Sequence, residues 1–266
     1  MRHASWLAAL ALSLPLGAAQ AHDFWIVPSS TVLSGENAWI TVDAAVSNDK
    51  FYFNHAPLRL DGLAIVAPDG SPAQARNASQ GKLRSTFDVQ LSQSGTYRVA
   101  LFNDGVFARW QENGKPRRYF GKPEGLDGAV PSGAQDLQIA QSLRRVETFV
   151  TAGKPSRPAP VGKGLELVPV THPNDLYAGE AATFQFRIDG QPAAGLEVTV
   201  VPGGSRYRDK VDEIRLTTGA DGRFEVQWPQ PGLYWIEAST EDDKTTVARA
   251  SQRRLAYSGT LEVLAP

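Results

Sequence analysis

A period of two constrains this chain before anything else. Leu83, Ser85, Phe87, Val89 and Leu91 fall on one face of an alternating run, and Thr183-Phe184-Gln185-Phe186-Arg187-Ile188 alternates as cleanly. Strands place successive side chains on opposite faces, so such runs make half-buried strands rather than helices. Turn formers punctuate them: Ser34-Gly35, Pro68-Asp69-Gly70, Ser94-Gly95, Asp189-Gly190 and Pro231-Gly232. Short strands separated in this way predict an all-β chain built of sandwiches, not a βαβ protein.

The expected organisation is two β-sandwich domains after a cleaved leader. Arg2 and His3 precede an apolar stretch from Trp6 to Leu16, and Ala19-Gln20-Ala21 supplies small residues at a cleavage site. The stretch is too short to span a bilayer as a helix, and the order of features is that of a secretory signal peptide over 1–21. The chain is expected in the periplasm or secreted, and not membrane-spanning. Residues 22–153 form the first sandwich, with a polar, Gly- and Pro-containing segment at 103–133 read as a long hairpin or loop. Asp136 to Leu143 is expected to form one or two helical turns, and Arg144 to Thr151 a strand. Residues 154–163 have the composition of a linker. Residues 164–266 form a second, immunoglobulin-like sandwich in which the Asp189-Gly190 pair closes a tight hairpin.

Composition limits the chemistry. The chain has 27 basic and 28 acidic residues, a formal net charge of −1, so nothing in its charge favours nucleic acid. It has no Cys, and its one Met is the initiator. Thiolate and thioether ligands, disulfides and Cys nucleophiles are therefore excluded, although export would permit disulfides. The sequence has no H-E-x-x-H, G-x-S-x-G or P-loop motif, and no catalytic residue is assigned.

Three His remain after the leader: His22, His55 and His172. Cleavage after Ala21 makes His22 the first residue. Its α-amine and imidazole can then chelate one ion, and nitrogen donors suit Ni, Co, Cu or Zn. The bland alternative is a terminus docked by Phe24 and Trp25. His55 follows Phe51-Tyr52-Phe53-Asn54, an aromatic run that predicts a buried, rigid setting for either a ligand or a structural His. His172, in Thr171-His172-Pro173-Asn174-Asp175, is a third candidate ligand, with a turn or interface role as the stronger alternative.

The start Ala21-His22-Asp23-Phe24-Trp25-Ile26-Val27-Pro28 resembles the exported bacterial family DUF4198. Gly164-Leu165-Glu166-Leu167-Val168-Pro169, Asp175-Leu176-Tyr177-Ala178-Gly179, Thr218 to Gly222 and Arg253-Arg254-Leu255-Ala256-Tyr257 look like that family too, in order. The resemblance implies kinship with NikM-like periplasmic proteins of nickel or cobalt uptake. The expected function is thus binding of a transition metal (nickel, cobalt or copper) for uptake or delivery. The expected partners are the metal ion and an inner-membrane permease or outer-membrane receptor. Two alternatives stand beside it: a metal-free envelope interaction module using 103–133 as its contact surface, and a copper histidine-brace oxidase.

Overall fold

The computed structural model describes residues 22–35 and 37–266. The expected signal peptide lies outside the described residues. The described residues fold into three sheets of mostly antiparallel strands. A five-stranded sheet runs Asp23–Pro28, Ala38–Ser47, Ser85–Leu91, Ala75–Gln80, with the short Ala56–Pro57 also on Ala38–Ser47. A four-stranded sheet is built on Ala181–Ile188, which pairs with Leu165–Pro169, Arg223–Gln227 and Gln191–Pro192.

The third sheet has ten strands and belongs to both halves of the chain. The C-terminal half contributes Ile214–Thr217, Glu197–Pro202, Gly232–Asp242 and Gln252–Val263; the N-terminal half contributes Gln135–Ala152, Gly95–Glu112 and Leu63–Val66. The halves join where Gln135–Ala152 pairs in parallel with Gln252–Val263, from Ala140↔Gln252 to Thr148↔Thr260. Two sandwiches expected in tandem therefore share one sheet.

Alternation along Gln135–Ala152 shows how one strand serves two cores. Val146 and Val150 enter a core with Ile26, Ile40, Phe87, Tyr97 and Val99, beneath the five-stranded sheet. Leu143 and Phe149, of opposite parity, enter a second core with Leu167, Phe184, Phe186, Trp228 and Tyr257, beneath the four-stranded sheet. Residues of opposite parity in a strand face opposite ways, so the two smaller sheets cover opposite faces of the shared one. From Arg145 to Ala152 every residue is buried, as a doubly covered strand requires.

The alternating run near residue 85 behaves as its pattern demands: Ser85, Phe87, Val89 and Leu91 are buried, whereas Leu83 lies in the preceding turn and is exposed. Asp189-Gly190 closes the hairpin between Ile188 and Gln191, with φ of 50° and 79°. The 103–133 segment completes a hairpin whose arms are Gly95–Glu112 and Lys115–Gly121, followed by one short helix at Leu126–Ala129. The helix expected over Asp136 to Leu143 does not form. Those residues lie in Gln135–Ala152, which pairs with Gly95–Glu112 along nearly its whole length apart from a register shift between Gln135 and Gln138. Leu137, Ile139 and Leu143 share one parity, and the long partner strand converts that period of two into a ladder.

Residues 154–163 have no regular structure but are tied to the sheet. Arg98 Nη1 donates to Ala159 O at 2.9 Å, and Arg145 Nη2 to Lys163 O at 3.0 Å. The backbone N–H groups of Val161 and Gly162 donate to the buried Glu166 carboxylate at 2.6 and 2.9 Å. Charge-assisted bonds of this kind anchor an irregular strap that has no ladder of its own.

Candidate metal centre

Two of the three candidate imidazoles meet. Ala38–Ser47 carries Asp23–Pro28 on one edge, with Asp23 opposite Ser47, and Ala56–Pro57 opposite Val46 and Ala45. His22 immediately precedes the first of these partners and His55 the second. Their rings stack with centroids 3.7 Å apart and planes inclined by 26°. His22 is half-buried and His55 exposed. The buried setting expected for His55 is therefore not found. Its aromatic run is half-buried and spends its apolar surface sideways on the fully buried Trp25, with Phe51 and Phe53 at 5.7 and 5.3 Å between ring centroids.

The strand that follows His22 is also held by the other half of the chain. Trp235 Nε1 donates to Phe24 O at 3.0 Å, and Trp25, Ala45, Val201 and Trp235 form a small core of their own. Asp23 pairs with Lys50 at 2.8 Å, and the Lys50 ammonium lies 4.9 Å from the centre of the Trp235 ring. The Arg144 guanidinium lies 4.1 Å from the Phe24 ring centre. Burial pushes the Glu237 carboxyl above its ordinary value, against the opposing pull of Arg144; the Asp23 charge adds to the rise and Lys50 opposes it. Two cations and two anions thus surround the start of the first strand. Lys50, Arg144, Trp235 and Glu237 had no local signature marking them as neighbours of Asp23 and Phe24. Lys50 comes from the loop after Ala38–Ser47, and the other three come from the shared sheet.

His172 lies elsewhere. Its Nε2 is 2.9 Å from Thr96 Oγ1 and 3.1 Å from Ser156 O, and its Nδ1 accepts from the backbone N–H of Asn174 at 3.2 Å. Thr96 also meets Thr151, which pairs with Val32 beyond the far end of Asp23–Pro28. Both ring nitrogens are engaged there, tying the strap to the sheet. The structure does not bring His172 to the other two.

Among the described residues, no three His, Asp or Glu side chains gather around one point. Metal binding would thus rest on His22 and His55 together with the amine of a chain beginning at His22. The donor types fit a transition metal. Imidazole lone pairs lie in the ring plane, so face-to-face rings do not aim them at one point. Shared ligation requires one ring to turn, and exposed His55 has the room.

A family model described as "Domain of unknown function (DUF4198)" matches residues 19–242. The chain belongs to that family. The match takes in His22, His55 and His172 and ends at the last residue of the Gly232–Asp242 strand. No curated protein matches this DUF4198 chain. Among solved structures it is similar to the "D0-D1 domain of Intimin" (12% identity, 90% of this chain and 97% of that one, TM-score 0.23). It is similar also to the "Human OSCAR ligand-binding domain" (11% identity, 90% and 97%, TM-score 0.21). Likenesses at these scores carry no argument about function.

Proposed function

We propose that this DUF4198 protein binds one divalent transition-metal ion in the bacterial envelope, through His22 and His55, in metal uptake or delivery. The observation that supports the reading is the contact between two imidazoles 33 positions apart in sequence, with ring centroids 3.7 Å apart. In a chain cut before His22, the new α-amine and the adjacent imidazole form one chelate, and His55 adds a second imidazole. The amine must lose its proton to bind, so affinity rises with pH through about 7.7–8.0. The sheet's role is to hold the two imidazoles together. The nickel or cobalt preference and a permease or receptor as recipient belong to this proposal.

The test uses untagged protein beginning at His22, titrated with Ni(II), Co(II), Cu(II) and Zn(II). Stoichiometric binding is expected, with His22→Ala and His55→Ala both weakening it and one extra N-terminal Ala removing the amine contribution. Equal affinity in wild type and His22→Ala overturns the reading. The exposure of His55 also suits a copper site that reacts with dioxygen. Reductant-driven peroxide formation by the copper-loaded protein would move the assignment from delivery to oxidation.

A further inference from the structure

We infer that Asn54 and Phe51 are positioning residues that hold the His55 backbone beside His22, and that Gly203 of the C-terminal half provides the seat of the Phe51 ring. The inference takes its purpose from the metal-binding reading but stands on separate geometry.

Phe51 is the anomaly that leads to it. Seven described residues other than glycine have positive φ, and six are Asn or Asp, which tolerate that region. The seventh is Phe51, at φ 67°. It is the third residue of a turn closed by Tyr52 N donating to Asp49 O at 3.2 Å, a position where positive φ ordinarily calls for Gly. A bulky residue persists in such a conformation only where its surroundings over-determine it, and residues of this kind cluster at functional sites. Here the surroundings are Trp25 on one side and Gly203 on the other. A Cβ on Gly203 would stand 3.0 Å from Phe51 Cδ2 and 3.1 Å from Leu233 O. Glycine at 203 therefore leaves the space that the Phe51 ring uses.

Asn54 transmits that fixed turn to its neighbour His55. Its Oδ1 accepts from Asn48 N at 3.0 Å, its Nδ2 donates to Asp49 Oδ2 at 2.8 Å, and its own N–H donates to Tyr52 O at 3.1 Å. The other end of the loop is anchored in the core. Trp25 Nε1 donates to Ser47 Oγ at 2.7 Å, and Ser47 Oγ donates to Asp49 O at 2.5 Å. These bonds fix the backbone on which His55 stands, so its exposed ring can turn toward a shared ion without leaving the neighbourhood of His22.

The test reads the two rings without metal. In untagged apo protein beginning at His22, nuclear Overhauser cross-peaks between the imidazole protons of His22 and His55 are expected, with upfield ring-current shifts. Asn54→Ala should abolish them and Gly203→Ala, which asks the Phe51 ring to give way, should weaken them, while far-UV circular dichroism stays native. Should Asn54→Ala not fold, Asn54→Ser and Gly203→Ala decide the matter by the same readout. Nickel affinity should fall about tenfold in Asn54→Ala, the usual scale for a group that orients a ligand. Cross-peaks that survive undiminished in both folded variants, or that are missing from wild type, overturn the inference. Wild type that shows the cross-peaks, loses them on substitution, and binds no metal supports the positioning role while sinking the metal reading.

Discussion

The indole of Trp235 donates a hydrogen bond to the backbone carbonyl of Phe24, 211 positions earlier, at 3.0 Å. The bond ties the strand that follows His22 to the C-terminal half of the shared sheet. Trp235→Phe keeps an aromatic side chain but removes the donor and part of the indole's bulk. It should destabilise the protein by at least about 1–2 kcal/mol, because a part-buried carbonyl loses its partner and the core loses packed atoms. Urea unfolding at constant m-value measures this, and an unchanged midpoint would show that the bond contributes nothing.

His172→Ala should separate structure from ligation. Both ring nitrogens of His172 serve the strap and its turn. The substitution should cost about 1–2 kcal/mol of stability as those bonds are lost. Nickel or copper affinity should stay at the wild-type value. A loss of metal binding in the folded variant would return His172 to the ligand set.

Arg253 clamps the start of the last strand. It is 5% exposed and forms a fork on Asp242, Nε to Oδ1 at 2.8 Å and Nη2 to Oδ2 at 2.6 Å, with a further pair to Asp189 at 2.8 Å. The Arg253 hydrogen bonds hold the Asp242 carboxyl below its ordinary value, against a smaller opposing effect of burial. A depressed carboxylate contributes stability above its unfolded value of about 3.9 and loses that contribution as pH falls through the folded value. Arg253→Ala should therefore cost about 2 kcal/mol at pH 7, with the difference from wild type narrowing in acid. Unfolding midpoints measured from pH 7 to pH 2 check both the size and the slope.

Tyr257 should govern the alkaline limb. Its ring is fully buried and its hydroxyl donates to Glu147 Oε1 at 2.8 Å. Burial, then the charge of Glu147 and the hydrogen bond to it, push the phenol well above its ordinary value. Stability from this group is fully present below the unfolded value of about 10 and falls as pH rises through and beyond it. Tyr257→Phe should flatten the loss of stability above pH 10, while costing about 1–3 kcal/mol at pH 7 by leaving Glu147 short of a donor. A variant with an unaltered alkaline slope contradicts the assignment.

Much of this protein was decided locally. The period of two at Ser85–Leu91 and Ala181–Ile188 and the turn at Asp189-Gly190 follow from side-chain alternation and backbone preference over a few residues, so the sequence alone specified strands, turns and an all-β class. Its inventory of donors also reduced the metal candidates to three imidazoles. The rest depended on pairings between distant residues. Asp136 to Leu143 became strand because a long partner lay beside it, and Thr148 found Thr260 across 112 positions to merge two sandwiches. The same long-range contacts brought His22 to His55, took His172 elsewhere, and set Trp235 beneath Phe24. Alternation tells a strand which face is apolar but carries no information about which strand will cover it. That choice belongs to the packing of the whole sheet.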